Sequence, residues 1–169
     1  MWFLILINTA FAQDNYEIQV YGSETVEKGK TMLEIHSNYT LNGNKETGKV
    51  LLPTNHIIHE TIEVTHGFTS WFEIGFYLFN AIGNNNRTAY VGSHIRPRVS
   101  APVDWHLPVG LSFSAEFGFQ KKEYSANTST VELRPIIDKK WKAFYFALNP
   151  VFGKSFKGPD ENRGFIFSP

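Results

Sequence analysis

Residue types able to do chemistry are sparse in this chain, and their spacing limits what they could do. His36-Ser37-Asn38 gathers the side chains of a lipase-like hydrolytic site. In an extended segment, however, His36 and Asn38 share one face and Ser37 points to the other, so the three neighbours cannot form a relay. The nearest further histidines, His59 and His94, follow the alternation of His36 and point away from Ser37. His36, His59 and His94 could also be read as a metal set. No His-x-x-x-His spacing accompanies them, and polar groups meeting water explain them more simply. The chain has no cysteine, which removes thiolate ligands, disulfides and a thiol nucleophile. The expectation is a non-enzymatic protein with no catalytic residue, no metal and no cofactor.

The elements that must position these groups are strands. From Thr31 onward, apolar and polar residues alternate with period two, so each segment has one apolar and one polar face. Leu33, Ile35, Tyr39 and Leu41 oppose Glu34, His36, Asn38 and Thr40. Residues 56–65 set Ile58, Ile62 and Val64 against His59, Thr61 and Glu63, with Glu60 on the apolar side. After a short turn at His66–Thr69, Phe72, Ile74, Phe76 and Leu78 alternate with Glu73, Gly75, Tyr77 and Phe79. Residues 90–100 set Val91, Ile95 and Val99 against His94, Arg96 and Arg98. Pro97 joins the apolar side, where its missing N–H predicts a bulge or local edge. Residues 109–120 alternate most cleanly, with Glu116 on the polar face. Residues 131–138 carry Glu132, Arg134 and Asp138, and residues 144–149 form a further strand. About seven strands result, and Phe165–Pro169 reads as the start of an eighth.

Length and composition agree with one all-β domain. The chain has 169 residues, 15% aromatic, with 16 basic and 16 acidic residues and a formal charge of zero. That balance leaves no basic face for a polyanion and disfavours nucleic acid as a partner. Residues 1–12 end in Ala10-Phe11-Ala12 and read as a signal-peptide remnant, although a basic n-region is missing. Residues 13–30 read as a polar N-terminal arm and 31–169 as the strand domain, with a truncated C-terminus.

Three features orient the apolar face toward lipid. The strands reach about ten residues, the length of a tilted bilayer-spanning strand. Connections at 42–55, 80–88, 121–129 and 153–164 are long, whereas those at 66–69, 102–107 and 139–142 are short. Trp71, Trp105 and Trp141 all sit at the short turns, where an interfacial aromatic girdle belongs. The expected fold is an antiparallel up-and-down transmembrane β-barrel, incomplete at seven to eight strands. Its polar face would be the lumen, lined by Glu34, His36, His59, Glu63, Glu73, His94, Arg96, Arg98, Glu116, Glu132, Arg134 and Asp138. Simple hairpin registers bring Glu73 near Arg96 and Glu116 near Arg134, as a charge-balanced ladder.

Thr65-His-Gly-Phe-Thr-Ser-Trp-Phe-Glu-Ile-Gly75 resembles the Gly-Leu-Thr-Asp-x-x-Glu-Leu-Gly hairpin of bacterial outer-membrane barrels, the transporter-like proteins of the phenol-degradation MetA-pathway type. His94-Ile-Arg-Pro-Arg98 and Glu132-Leu-Arg-Pro-Ile136 resemble strands of related uncharacterised barrels. Ser70 stands where the pattern has Asp. The resemblance runs from about Thr31 to the end and implies an outer-membrane location, lipid as partner and a passive, porin-like transport role for a small solute. The alternatives are a non-conducting structural or surface-loop interaction barrel and a lipid-modifying barrel enzyme acting through Ser37.

Overall fold

A computed structural model describes residues 20–45, 52–83 and 87–168. The signal-peptide reading at residues 1–12 and the arm residues 13–19 lie outside the described residues. Among the described residues nine strands form one antiparallel sheet: β1 (Thr31–Thr40), β2 (Ile57–Gly67), β3 (Phe72–Ile82), β4 (Thr88–Ser100), β5 (Gly110–Gln120), β6 (Ser129–Trp141), β7 (Phe144–Leu148), β8 (Val151–Lys157) and β9 (Ile166–Ser168). Each strand pairs with the next along the chain, except that β7 and β8 both lie against β6. They keep one register there, Ile137 opposite Leu148 and Leu133 opposite Phe152, and the break falls at Asn149–Pro150. Proline has no N–H to give the ladder, so the strand is interrupted without losing its alignment.

Several boundaries differ from the sequence reading. Strand β3 continues to Ile82, into the expected 80–88 loop. Strand β6 continues to Trp141, so its hairpin closes on Lys142 and Ala143, with Lys142 at φ 54°. Strand β8 occupies a stretch read as loop, because Gly153, Lys154 and Lys157 mask its alternation. Glu60 stays on the outer face without a bulge: β1 and β2 pair without a shift, and it accepts a 2.6 Å hydrogen bond from Ser37. Pro97 causes no bulge either. Pairing with β5 lapses at Arg96 and Pro97 and resumes in the same register at Arg98. The irregularity of β4 lies instead opposite Phe79 and Asn80.

The two faces are inverted relative to an ordinary core. Glu63 and Arg96 are each 1% exposed and Glu73 is fully buried, whereas Leu33 and Ile35 are 64% and 66% exposed. Charged groups therefore crowd the inner face while large apolar groups point outward. The inner face also holds an apolar cluster of Tyr77, Phe79, Ala81 and Val91, flanked by Ile57 and Tyr124.

The sheet is open, which corrects the expected barrel. Closure requires the first and last strands to pair. Strand β9 has three residues and pairs only with β8, and no described strand pairs with the outer edge of β1. Period-two alternation, loop asymmetry and tryptophans at the short turns are properties of any meander of long strands, closed or not. They could not decide closure. An open sheet encloses no lumen, so the passive channel and both barrel alternatives fall with it. The grounds for an outer-membrane location and a lipid partner go as well. The hairpin and Arg-Pro strands that carried the resemblance are present as parts of β2–β3, β4 and β6, but the closed fold they implied is not formed.

Candidate functional site: an inner face that holds residues 21–26

Residues 21–26 cross the inner face as irregular chain with a bend at Ser23, and side chains from β3, β4 and β6 and from Asn149 grip their backbone. Asn149 makes two bonds to Tyr21, accepting from its N–H at 2.7 Å and donating to its carbonyl at 3.1 Å. Arg98 donates to the carbonyls of Gly22 (2.9 Å) and Glu24 (2.6 Å). Asp138 accepts from the Ser23 N–H at 2.8 Å, and Ser100 Oγ donates to the Ser23 carbonyl. Glu73 accepts from the Val26 N–H at 2.6 Å. The segment ends in a turn at Lys28–Lys30, with Gly29 at φ 76°, where Gly29 N–H bonds the Gly67 carbonyl at 2.7 Å. Backbone N–H and C=O groups need partners when covered, and outside regular structure these side chains supply them for Tyr21, Gly22, Ser23, Glu24 and Val26.

Two side chains of the segment add specific contacts. Ser23 Oγ donates to Asp138 at 2.7 Å, and Tyr145 donates to the same carboxylate at 2.6 Å. Burial pushes the Asp138 carboxyl up, but the bonds from Tyr145 and Ser23 outweigh it and hold the group below its ordinary range. The Tyr21 ring lies under three guanidinium groups, 4.4 Å from Arg96, 5.0 Å from Arg134 and 5.8 Å from Arg98. Cation–π attraction of this kind is strongest where water is excluded. Burial raises the Tyr21 phenol to about 12 despite the neighbouring Arg96, so it stays neutral at any physiological pH.

Beneath the segment lies an ion-pair network. Arg96 bonds Glu63 at 2.8 Å and lies 3.4 Å from Glu73, while Arg98 pairs with Glu73 at 2.8 Å. The ladder sets Glu73 directly opposite Arg98, one alternation step from the simple register, while Arg96 still reaches Glu73 at 3.4 Å on the same face, as expected. Glu116 is likewise opposite Glu132, and Arg134 opposite Ser114. Burial pushes Glu116 up, but a 2.5 Å bond to His94 and the nearby Arg134 bring it below its ordinary value. Burial and the Glu116 charge raise Glu132, although Arg134 bonds it at 3.1 Å. His59 is buried, its pKa lowered by that burial, and lies 3.1 Å from Thr40 Oγ1. Glu34 and His36 sit on the same face at the β1 edge, next to Glu63. Trp71, Trp105 and Trp141 stand exposed at the end of the sheet that carries the short turns.

Sequence reasoning missed the contribution of Tyr21, Ser23, Ser100, Tyr145 and Asn149. The signal available was the alternation Tyr16, Ile18, Val20 before Gly22, which marks an extended arm but not the surface that receives it. Gly110 provides room for the arm: a Cβ there would collide with Asp138 Oδ1 and Ser23 Oγ. Gly110→Val should therefore lift the arm. Trypsin cleavage at Lys28 and Lys30 is expected to accelerate about ten-fold, equivalent to ~1.4 kcal/mol of easier opening. An unchanged cleavage rate would contradict this.

Comparison of the chain with protein-family models, characterised proteins and solved structures returned no match.

Proposed function

We propose that this chain is a non-catalytic binding module whose inner face receives a polypeptide segment, a position taken in the chain itself by residues 21–26. The observation that supports this most is how the segment is held. Asn149, Arg98, Ser100, Asp138 and Glu73 engage backbone groups of Tyr21, Gly22, Ser23, Glu24 and Val26, which any peptide offers. Only Tyr21 and Ser23 are read through their side chains as well, by the arginines and by Asp138. Backbone capture with a few side-chain pockets is the general logic of extended-peptide recognition. The main nucleophile candidate, Ser37, donates to Glu60 rather than to a histidine, which fits a role without turnover.

The reading is tested by severing the arm after folding. A specific protease site placed in the exposed turn at Lys28–Lys30 turns residues 20–28 into a non-covalent ligand. A fluorescent peptide of the same sequence should then exchange into the protein with saturable binding. Arg98→Met, which forfeits two carbonyl contacts, should weaken that binding by about 10–100-fold, at ~1.5–3 kcal/mol for hydrogen bonds to a charged group. Failure of the peptide to exchange into the cleaved, folded protein would reject the proposal.

A further inference from the structure

At the β1 edge of the inner face, three potential ligand atoms converge. Glu34 and His36 are two apart on β1 and so share a face, and Glu63 on β2 is directly opposite Glu34. One donor atom from each lies within 4.8 Å of the others, and His36 Nε2 is 3.8 Å from Glu63 Oε2. Two carboxylates facing each other across an antiparallel pair repel, and Arg96 offsets Glu63 from the side away from Glu34 and His36 only, through Oε1.

The second observation concerns the two oxygens of Glu63. Its Oε1 is fully engaged, accepting from Thr65 Oγ1 at 2.8 Å and from Arg96 at 2.8 Å. Its Oε2 is buried and has no hydrogen-bond partner, although the residue is only 1% exposed. A buried carboxylate oxygen left unsatisfied costs about 1–3 kcal/mol, and more when ionised. The oxygen is on the side of His36, while Arg96 and Thr65 fix the carboxylate from behind. Such outer partners are what orient a metal ligand.

From this convergence we infer that Glu34, His36 and Glu63 form a binding site for one divalent transition-metal ion of the zinc class. One imidazole nitrogen and two carboxylate oxygens suit zinc or cobalt, whereas magnesium and calcium favour all-oxygen sets. Bonds of about 2.0–2.2 Å in tetrahedral geometry place ligand atoms roughly 3.3–3.6 Å apart. Small side-chain rotations of Glu34 and His36, both only partly buried at the sheet edge, bring the donors to that spacing. Glu63 stays fixed. Three protein ligands leave the fourth position to water. The ion would bridge β1 to β2 and neutralise the opposed carboxylates, a structural role distinct from the capture of the arm's backbone.

The test is titration of the full chain with Co²⁺ and Zn²⁺. Cobalt should give the visible absorption of a tetrahedral mixed nitrogen–oxygen site at one equivalent, and zinc should displace it. His36→Ala and Glu34→Gln should each weaken zinc binding at least about ten-fold, in line with the effect of losing one ligand or its support. His66→Ala, on the same pair of strands, should leave binding unchanged. Circular dichroism establishes that each variant is folded. Stoichiometric binding untouched by His36→Ala, or a folded wild-type chain that binds neither ion, would overturn the inference.

Discussion

Arg96→Met should be the most destabilising single change on the inner face. The guanidinium is 1% exposed and serves Glu63 directly, with Glu73 at 3.4 Å. Its Nε and Nη1 make no hydrogen bond; the group lies instead against the rings of Tyr21 and Tyr77. Removing it leaves a buried carboxylate with no cation and takes the platform from under Tyr21. Breaking a buried pair from one side costs about 3–5 kcal/mol, most of it the desolvation of the charge left behind. Urea unfolding should show that loss as a lower midpoint. Glu63→Gln in the same background should recover part of it, because the stranded charge disappears. A loss below about 1 kcal/mol would mean that water reaches Glu63 and the network is not sealed.

The second large effect belongs to Asp138. Its carboxylate takes bonds from the Ser23 N–H, the Ser23 hydroxyl and the Tyr145 hydroxyl. Three donors converge on it, so Asp138→Asn replaces an acceptor oxygen with a fourth donor. The expected loss is about 1.5–3 kcal/mol, concentrated in the arm. The pH dependence has a definite sign. The folded-state pKa lies below the ordinary value of 3.8, so the unfolded chain takes up its proton first as pH falls. The stabilisation is complete above the ordinary carboxylate range and is lost as pH drops through the depressed folded value. The stability gap between wild type and Asp138→Asn should thus be constant near neutral pH and shrink below about pH 4. A gap that persists unchanged down to about pH 2 would contradict this account.

How much of this was legible in the sequence depends on whether a feature is local. The two-residue period placed Glu34, Glu63, Glu73, Arg96, Arg98 and Asp138 on polar faces of strands, because side-chain direction follows from strand geometry alone. It also separated Ser37 from His36. That Arg98 rather than Arg96 stands directly opposite Glu73 was not legible. A one-step change in turn length slides a hairpin register by a residue pair, and alternation is blind to that. Strand β8 was missed because glycine and lysine dilute its pattern, although β6 supplies its hydrogen bonds regardless.

Only the tertiary structure decided the two largest questions. Whether a meander closes depends on accumulated twist, tilt and the pairing of strands far apart in sequence, and no local pattern encodes it. Here the described edges do not meet, and the barrel reading fails on that point. The destination of the arm was equally hidden: Tyr21 meets Asn149 across 128 positions and Ser23 meets Asp138 across 115. The sequence by itself determined strands, faces and charge balance. The fold decided that the polar face grips backbone, and that Glu34, His36 and Glu63 converge, because both require strands to be laid side by side in one particular register.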